Sequence, residues 1–258
     1  DARKKDFYRR SIDVLDAAGV PFLVGGAYAI ELYTGLSRKT KDFDVFCMRG
    51  DIERALDAFR AAGYRAEFTF PHWLGKAFEG AEFIDVIHSS GNGIAPVDER
   101  WFEYAREGVV FDRKVKLAPP EESIWSKAYI MERERYDGAD VAHLIEAMGP
   151  EMDWRRLVGR FGEHWRVLYA HLVLVGYIYP GRRDVIPAWV MRTLSDRLNA
   201  EINDVPLETD VCRGTVLSRA QYLSDVTGKD LADGRLMPWG LMTAEEIEQW
   251  TEAIKQDK

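Results

Sequence analysis

Two acidic residues, Asp42 and Asp44, stand on either side of Phe43 in the first fifth of the chain. Alternate residues of a β-strand point to the same face, so a strand here would present both carboxylates together. Neighbouring carboxylates repel each other unless a cation lies between them. A hard divalent cation such as Mg²⁺ binds oxygen ligands of this kind, together with phosphate oxygens and water. The spacing therefore predicts a metal site.

A pair of glycines, Gly25 and Gly26, follows the short apolar run 20–24. A strand that ends at two glycines and leads into a helix over 27–36 would bring backbone N–H groups and the positive helix end to one point. Glycine also lets a phosphate approach the backbone closely. A phosphate site beside a metal-binding carboxylate pair is what metal-assisted attack on a nucleotide requires.

The elements that must position these residues follow from hydrophobic periodicity and from glycine and proline breaks. A loop containing Pro71, Gly75 and Lys76 should join the last two predicted strands, and Lys76 is a weaker candidate for contacting a phosphate. The pattern predicts a small α/β unit with, in order, a helix over 5–19, a strand over 20–24, a helix over 27–36, a strand over 42–48, a helix over 52–62, and strands over 64–70 and 81–88.

The pattern changes near residue 118, where Pro119 and Pro120 follow a predicted helix over 97–107 and a hairpin or a pair of short strands over 108–118. Beyond this point the periodicity is nearly all helical. Helices are predicted over 122–135, 139–148, 154–161, 163–179, 186–202 and 244–254. The predicted fold class is α+β: a mixed sheet flanked by helices in residues 1–118, and a helical region in residues 119–258 whose first helices complete the active site.

The order of strand, Gly-Gly, helix and Asp-x-Asp strand resembles the nucleotidyltransferase superfamily that includes DNA polymerase β. The flanking Arg38 and Thr40 are more similar to its minimal bacterial branch of toxin-type and antibiotic-modifying transferases. The resemblance implies a third carboxylate on a later strand, a position that Asp85 fits. It implies that Asp42, Asp44 and Asp85 are catalytic metal ligands, and that the nucleotide contacts Gly25, Gly26, Arg38 and Thr40. One departure is Ala27, where many members have serine.

The stretch from Ser126 to Ile130, followed by Arg133, Arg135, Asp137 and Asp140, resembles the abortive-infection toxin nucleotidyltransferases. In that branch a helical segment covers the active site, so Lys127 would neutralise the triphosphate, and Asp137 or Asp140 would orient it or the acceptor. A helix over 122–135 would place Lys127, Met131 and Arg135 on one face. The alternative is an ion-pair network that only joins two helices.

Composition narrows the function classes. A net charge of −8 argues against broad, sequence-independent nucleic-acid binding, which requires a basic face. The two cysteines, Cys47 and Cys212, show no metal-ligand spacing and suggest thiols in a reducing compartment. The apolar run 167–179 is shorter than the roughly 20 residues of a membrane span and predicts a buried core helix. The polar start of the chain favours a cytoplasmic location and no membrane partner.

The main functional hypothesis is transfer of a nucleoside monophosphate from an NTP to an acceptor hydroxyl, with release of pyrophosphate and with Mg²⁺, or Mn²⁺, as cofactor. The alternative is a catalytically inactive module of the same fold that binds a nucleotide or a partner. There are two further hypotheses. One is a toxin that acts on RNA or protein and is paired with an antitoxin, and the other is an enzyme that acts on a small molecule such as an aminoglycoside. A homodimer is a further assembly included in the main hypothesis.

Overall fold

A computed structural model describes residues 2–38, 40–205 and 209–253. The chain forms two compact units. The first, here called the sheet unit, comprises Asp1–Pro119 and Ala244–Glu252, so a late segment of the chain belongs to it. The second, the helical unit, comprises Pro120–Thr243 and Ala253–Lys258. The predicted α+β class with a mixed sheet is confirmed.

The sheet unit is built on one mixed sheet, with strand order β3-β4-β5-β2-β1-β7-β6. The pairs β2·β5 and β1·β7 are parallel, and the other neighbours are antiparallel. Its strands are β1 Leu23–Val24, β2 Asp44–Phe46, β3 Arg65–Phe70, β4 Leu74–Glu79, β5 Glu82–Ile87, β6 Arg106–Val110 and β7 Arg113–Leu117. Its helices are α1 Ala2–Ala17, α2 Gly26–Thr34, α3 Ile52–Ala61, α4 Glu99–Glu103 and, last in the chain, α12 Ala244–Glu252.

The core of the sheet unit lies between the sheet and the helices α1 and α3, which pack together and against the strands. On β2 and its flanks, Phe43, Val45 and Cys47 are buried in this core, whereas Asp42 and Asp44 are half-buried on the other face. The alternation predicted from the sequence is therefore present. Strand β2 itself is shorter than the predicted 42–48, although backbone hydrogen bonds from Asp85 N to Phe43 O and from Cys47 N to Ile87 O continue the pairing at both ends.

The prediction of a loop between the strands over 64–70 and 81–88 was wrong, because Leu74–Glu79 forms β4 between β3 and β5. Gly75 suggested a loop, but it is a buried position within β4 where a Cβ atom would lie 3.0 Å from a Leu56 side-chain carbon. The glycine therefore serves close packing against α3. Lys76 consequently lies on a strand and not in a loop.

The helix predicted over 97–107 is short, because Asp98 caps it through a hydrogen bond from Arg100 N, and Arg106 already begins β6. The hairpin predicted after it is confirmed as β6 and β7. Its turn residues, Phe111 and Asp112, both have positive φ, at 51° and 62°. Tight two-residue hairpin turns of this kind need positive φ at both central residues, a conformation that non-glycine residues adopt at a cost.

Helix α12 brings Trp250 into an aromatic group of the sheet unit. The Trp250 ring packs edge-on against Phe70 and Trp73, with ring centroids 4.9 and 5.3 Å apart. His72 lies next to it and shares a hydrogen bond with the Gly91 carbonyl. The group fixes α12 to the segment between β3 and β4.

The helical unit contains two short paired strands, β8 and β9, among its helices. Its elements are α5 Pro120–Lys127, α6 Gly138–Met148, α7 Trp154–Phe161, α8 Trp165–Ile178, α9 Ala188–Glu201, β8 Val211–Cys212, α10 Gly214–Leu217, α11 Leu223–Gly228 and β9 Ala232–Asp233. The predicted helix over 154–161 is confirmed. The predicted helix over 122–135 is wrong in its second half, because α5 ends at Lys127.

The segment after α5 is held by other contacts. Met131 and Tyr136 form an isolated bridge, and Met131 N donates to Leu217 O. The Glu132 carboxylate accepts hydrogen bonds from Ser218 Oγ and Arg219 N. Continuing the helix would break these pairings. Lys127, Met131 and Arg135 therefore do not share a helical face.

The apolar helix α8, predicted as a buried core helix, is buried on one face only. Leu168, Leu172 and Val175 face the core, whereas Tyr177 is 83% exposed and Val173 is half exposed. None of the helices within the described ranges is long and apolar enough to span a membrane.

Four buried charges join α5 to α7. Glu122 is fully buried and accepts hydrogen bonds from Arg156 and, at 3.0 Å, from Arg160 Nε. Glu121 contacts Arg156 at 2.7 Å and accepts from Asp153 N at 2.6 Å. Two carboxylates and two guanidinium groups balance in charge, so each carboxylate lowers the cost of burying the guanidinium groups it contacts, and the reverse.

Candidate active site

The glycine turn lies directly against the Asp44 side chain. Gly25 N donates to Asp44 O at 3.0 Å, which extends the pairing of β1 with β2. Gly26 has φ +56°, and a Cβ atom there would lie 1.7 Å from Asp44 Oδ2. A Cβ atom at Gly25 would lie 2.2 Å from the Phe46 ring. Both positions thus require glycine, one for its backbone conformation and both for the closeness of β2.

The turn also places a carboxylate at the start of α2. Gly25 is the N-cap of this nine-residue helix, and no side chain caps it through a hydrogen bond. The first N–H groups of a helix have no partner within the helix and form its positive end. Asp44 lies at this end, beside Gly26. A triphosphate with its metal cation would suit the same charge arrangement.

The predicted third carboxylate is next to the first pair. Asp44 is the register partner of Asp85 across the parallel strands β2 and β5, so both side chains lie on one face of the sheet. Asp42 precedes Asp44 by two residues and is half-buried like it. The structure therefore brings Asp42, Asp44 and Asp85 to one region of the sheet, on the side opposite the core.

Asp85 forms an ion pair with Lys76, a contact that was not predicted from the sequence. Lys76 on β4 is the register partner of Asp85, and its Nζ lies 2.7 Å from Asp85 Oδ1. The same Nζ lies 4.1 Å from the centroid of the Phe83 ring. Strand β4 was not predicted, so this pairing could not be derived from the sequence.

The loop before Asp42 is anchored from α1. Lys4 Nζ and Tyr8 Oη both donate to the Lys41 carbonyl, at 2.6 and 3.1 Å. The Thr40 hydroxyl accepts from Asp42 N and donates to Asp42 O, both at 3.2 Å. Thr40, predicted to contact the nucleotide, thus shapes the backbone of Asp42. Arg38, predicted for the same role, is exposed in the loop between α2 and β2.

An aromatic cluster lies beneath the carboxylates and consists of Tyr8, Tyr28, Phe43 and Phe111. The Phe43 ring, between Asp42 and Asp44 in the chain, stacks on Tyr8 at 4.9 Å and meets Tyr28 and Phe111 edge-on at 5.4 and 5.5 Å. Burial, with nearby phenol and carboxylate charges, raises the pKa of Tyr8 well above its usual range, so its hydroxyl remains a donor. The cluster ties α1, α2 and the β6–β7 turn to the carboxylate strand.

The helical unit holds the other predicted nucleotide ligands in an ion-pair cluster. Lys127 Nζ lies 2.7 Å from Asp137 Oδ2 and 3.1 Å from Asp140 Oδ2, and Arg135 also binds Asp137. Burial alone would raise the pKa of Asp137, but Arg135 and Lys127 outweigh it and lower the pKa to about 2. This geometry is the one expected under the alternative hypothesis, in which an ion-pair network joins α5 to the start of α6. The role of Lys127, Asp137 and Asp140 in nucleotide binding stays a prediction.

Comparison with known proteins identifies the family. The model of a family described as nucleotidyl transferase of unknown function (DUF2204) matches residues 4–160, which is more than half of the chain. The chain belongs to this family. The matched range includes the glycine turn, the three carboxylates and the Lys127 cluster. A search of curated proteins found no significant match.

Several solved structures share a distant similarity with this chain. The antibiotic-resistance factor ANT(2'')-Ia is 19% identical with a TM-score of 0.39, over 78% of this chain and 95% of that one. The lincosamide antibiotic adenylyltransferase LnuA, bound to lincomycin, is 16% identical with a TM-score of 0.39, over 55% and 94%. JHP933 from Helicobacter pylori is 12% identical with a TM-score of 0.40, over 77% and 95%. Similarities this low do not transfer a substrate.

The residues of this nucleotidyl transferase fit a hard divalent cation by their chemistry. Asp42 and Asp44 supply carboxylate oxygens on one face, with Asp85 beside Asp44, and oxygen ligands are those that Mg²⁺ prefers. The missing Cβ atom at Gly26 lets the Asp44 carboxylate approach the start of α2, so carboxylate oxygens and the first N–H groups of the helix lie close together. Within the described residues, no three acidic, histidine or cysteine side chains already converge as a metal cluster. Asp85 forms an ion pair with Lys76, which agrees with the absence of a preformed three-ligand cluster among these residues.

Proposed function

We propose that this nucleotidyl transferase moves a nucleoside monophosphate from an NTP to an acceptor hydroxyl, with Mg²⁺, or Mn²⁺, as cofactor. The observation that carries the proposal is the contact between the glycine turn and the carboxylate strand: Gly26 begins α2 directly against Asp44. This contact unites an N–H-rich, positive helix end with metal-binding carboxylates. Membership of the family supports nucleotidyl transfer in general.

In the proposed reaction, the acceptor oxygen forms a bond to the α-phosphorus of the NTP, and the bond from that phosphorus to the leaving pyrophosphate breaks. The backbone N–H groups at Gly25 and Gly26 would hold the β- and γ-phosphates. Asp42 and Asp44 would hold the cation, which supplies Lewis-acid neutralisation of the phosphate charge. Asp85 would accept the proton of the attacking hydroxyl or complete a second metal position.

The helical unit enters the proposal through Lys127. If Lys127 neutralises the triphosphate, its ion pairs with Asp137 and Asp140 must open or be shared with the phosphate. Asp137 or Asp140 would then orient the nucleotide or the acceptor.

A second candidate is a module that binds a nucleotide or a partner without transferring anything. The observation that favours it is the ion pair between Lys76 and Asp85, which occupies the carboxylate needed for the proton or the second metal. If the protein is an active transferase, its acceptor is RNA, a protein or a small molecule. A net charge of −8 favours a cationic acceptor. The proposal has three further parts: the protein acts as a toxin with an antitoxin, it forms a homodimer, and it is located in the cytoplasm.

Calorimetric titration of each of the four NTPs, with and without Mg²⁺, tests the proposal without knowledge of the acceptor. We expect at least one NTP to bind only with Mg²⁺. The double variant Asp42→Asn/Asp44→Asn should lose this binding by about a hundredfold or more, because neutral amides cannot neutralise the cation. The matched control is Asp57→Asn, whose carboxylate on α3 is 64% exposed, and it should bind like the wild type. Equal Mg²⁺-dependent binding by the double variant would refute the proposed site.

A further inference from the structure

A row of paired residues crosses the sheet at the candidate site. In register, Glu67 on β3 pairs with Lys76 on β4, Lys76 with Asp85 on β5, and Asp85 with Asp44 on β2. Gly25 continues the row through its hydrogen bond to Asp44 O. Register partners share one face of a sheet, so Lys76 lies between Glu67 and Asp85, and the two carboxylates Asp85 and Asp44 lie between Lys76 and the glycine turn.

The contacts of Lys76 are directed toward the centre of the site. Its Nζ lies 2.7 Å from Asp85, and the two side chains are only 21% and 14% exposed. Its neighbour on the outer side, Glu67, is bound by Arg65 at 2.7 Å and is 48% exposed. The ammonium group therefore neutralises the inner carboxylate, in an environment where screening by solvent is reduced.

We propose that Lys76 is the built-in counter-ion of the carboxylate site and sets how strongly the site binds a divalent cation. This inference rests on the proposed function. Without a metal, the ammonium group offsets the repulsion between the register neighbours Asp85 and Asp44. A divalent cation that uses Asp85 must compete with this positive charge, which weakens binding of the bare ion. A cation that arrives with a triphosphate brings negative charge with it, so Lys76 favours loading of the metal–nucleotide complex over the metal alone.

Binding of Mn²⁺ without nucleotide, followed by the electron paramagnetic resonance signal of the free ion, tests this role. The variants are Lys76→Met, which keeps an unbranched side chain of similar length without charge, and Lys76→Arg, which keeps the charge. We expect Lys76→Met to bind Mn²⁺ about tenfold more tightly than the wild type, because a nearby like charge is removed. Lys76→Arg and the outer-side control Glu67→Gln should bind within about twofold of the wild type.

Thermal unfolding provides a second readout that does not depend on activity. Lys76→Met should unfold at a lower temperature than Lys76→Arg in the absence of divalent cation, because the Asp85 carboxylate then loses its ion pair with residue 76. Added Mn²⁺ should raise the unfolding temperature of Lys76→Met more than that of the wild type, since tighter binding to the folded state gives greater stabilisation.

The outcomes separate this inference from the proposed function. Unchanged or weaker Mn²⁺ binding by Lys76→Met overturns the counter-ion role. If the wild type still binds Mn²⁺ in a manner that Asp42→Asn/Asp44→Asn abolishes, the metal site itself stands. Weaker NTP binding by Lys76→Met at unchanged Mn²⁺ affinity would make Lys76 a phosphate ligand and also overturn the inference. Absence of Mn²⁺ binding in both wild type and Lys76→Met overturns the inference and the proposed metal site together.

Discussion

Replacing Gly26 with alanine should abolish Mg²⁺-dependent nucleotide binding and destabilise the sheet unit. The new methyl group would lie 1.7 Å from Asp44 Oδ2, so either the carboxylate or the start of α2 must move. Displacements of about 1 Å in such sites cost roughly a hundredfold in function. The left-handed backbone at this position adds about 1–2 kcal/mol of strain, and relief of the collision adds about 1–3 kcal/mol.

Gly19→Ala is the matched control for this prediction. Gly19 has φ +62°, close to the +56° of Gly26, but no atom lies within 4 Å of its Cβ position. It should therefore show only the backbone cost of about 1–2 kcal/mol and normal nucleotide binding. Urea denaturation and NTP calorimetry of both variants make the comparison. Equal effects of the two substitutions would mean that the contact with Asp44 does not matter.

Replacing Glu122 with alanine should destabilise the helical unit by about 3–5 kcal/mol. Glu122 is fully buried and binds both Arg156 and Arg160, whose side chains are themselves almost entirely buried. Its removal leaves a net positive charge buried between α5 and α7, together with the cavity of the lost side chain.

Glu163→Ala in the same unit is the control. Glu163 pairs with Arg213 at 2.8 Å but is 60% exposed, so its loss should cost about 1 kcal/mol or less. The free energy of unfolding from urea titration distinguishes the two. A cost for Glu122→Ala as small as that for Glu163→Ala would show that the buried network contributes little net stability.

The part of the candidate site that the sequence predicted depends on local spacing. Gly25-Gly26 and Asp42-x-Asp44 each act within a few residues, where glycine conformation and strand alternation determine the geometry. The strand containing Asp85 was predicted for the same reason, since its alternation is local. The register that places Asp85 beside Asp44 is a long-range feature, and only the resemblance to a known family suggested it.

The features that were missed depend on tertiary contacts. Gly75 is a loop signal by composition, yet packing against Leu56 makes it a strand residue, and the position of Lys76 was lost with that strand. The predicted helix over 122–135 was too long because Ser218 and Arg219, which lie 86 and 87 residues later in the chain, donate hydrogen bonds to the Glu132 carboxylate. Local periodicity contains no information about such partners.

The most direct test of the central claim is a crystal structure of the protein with Mn²⁺ and a non-hydrolysable NTP analogue, using the anomalous signal of Mn²⁺. The predicted result is a Mn²⁺ peak within about 2.5 Å of an Asp44 oxygen, with phosphate oxygens at the N–H groups of Gly25 and Gly26. Mn²⁺ and nucleotide bound away from this turn, for example at Asp137 and Asp140 alone, would contradict the claim.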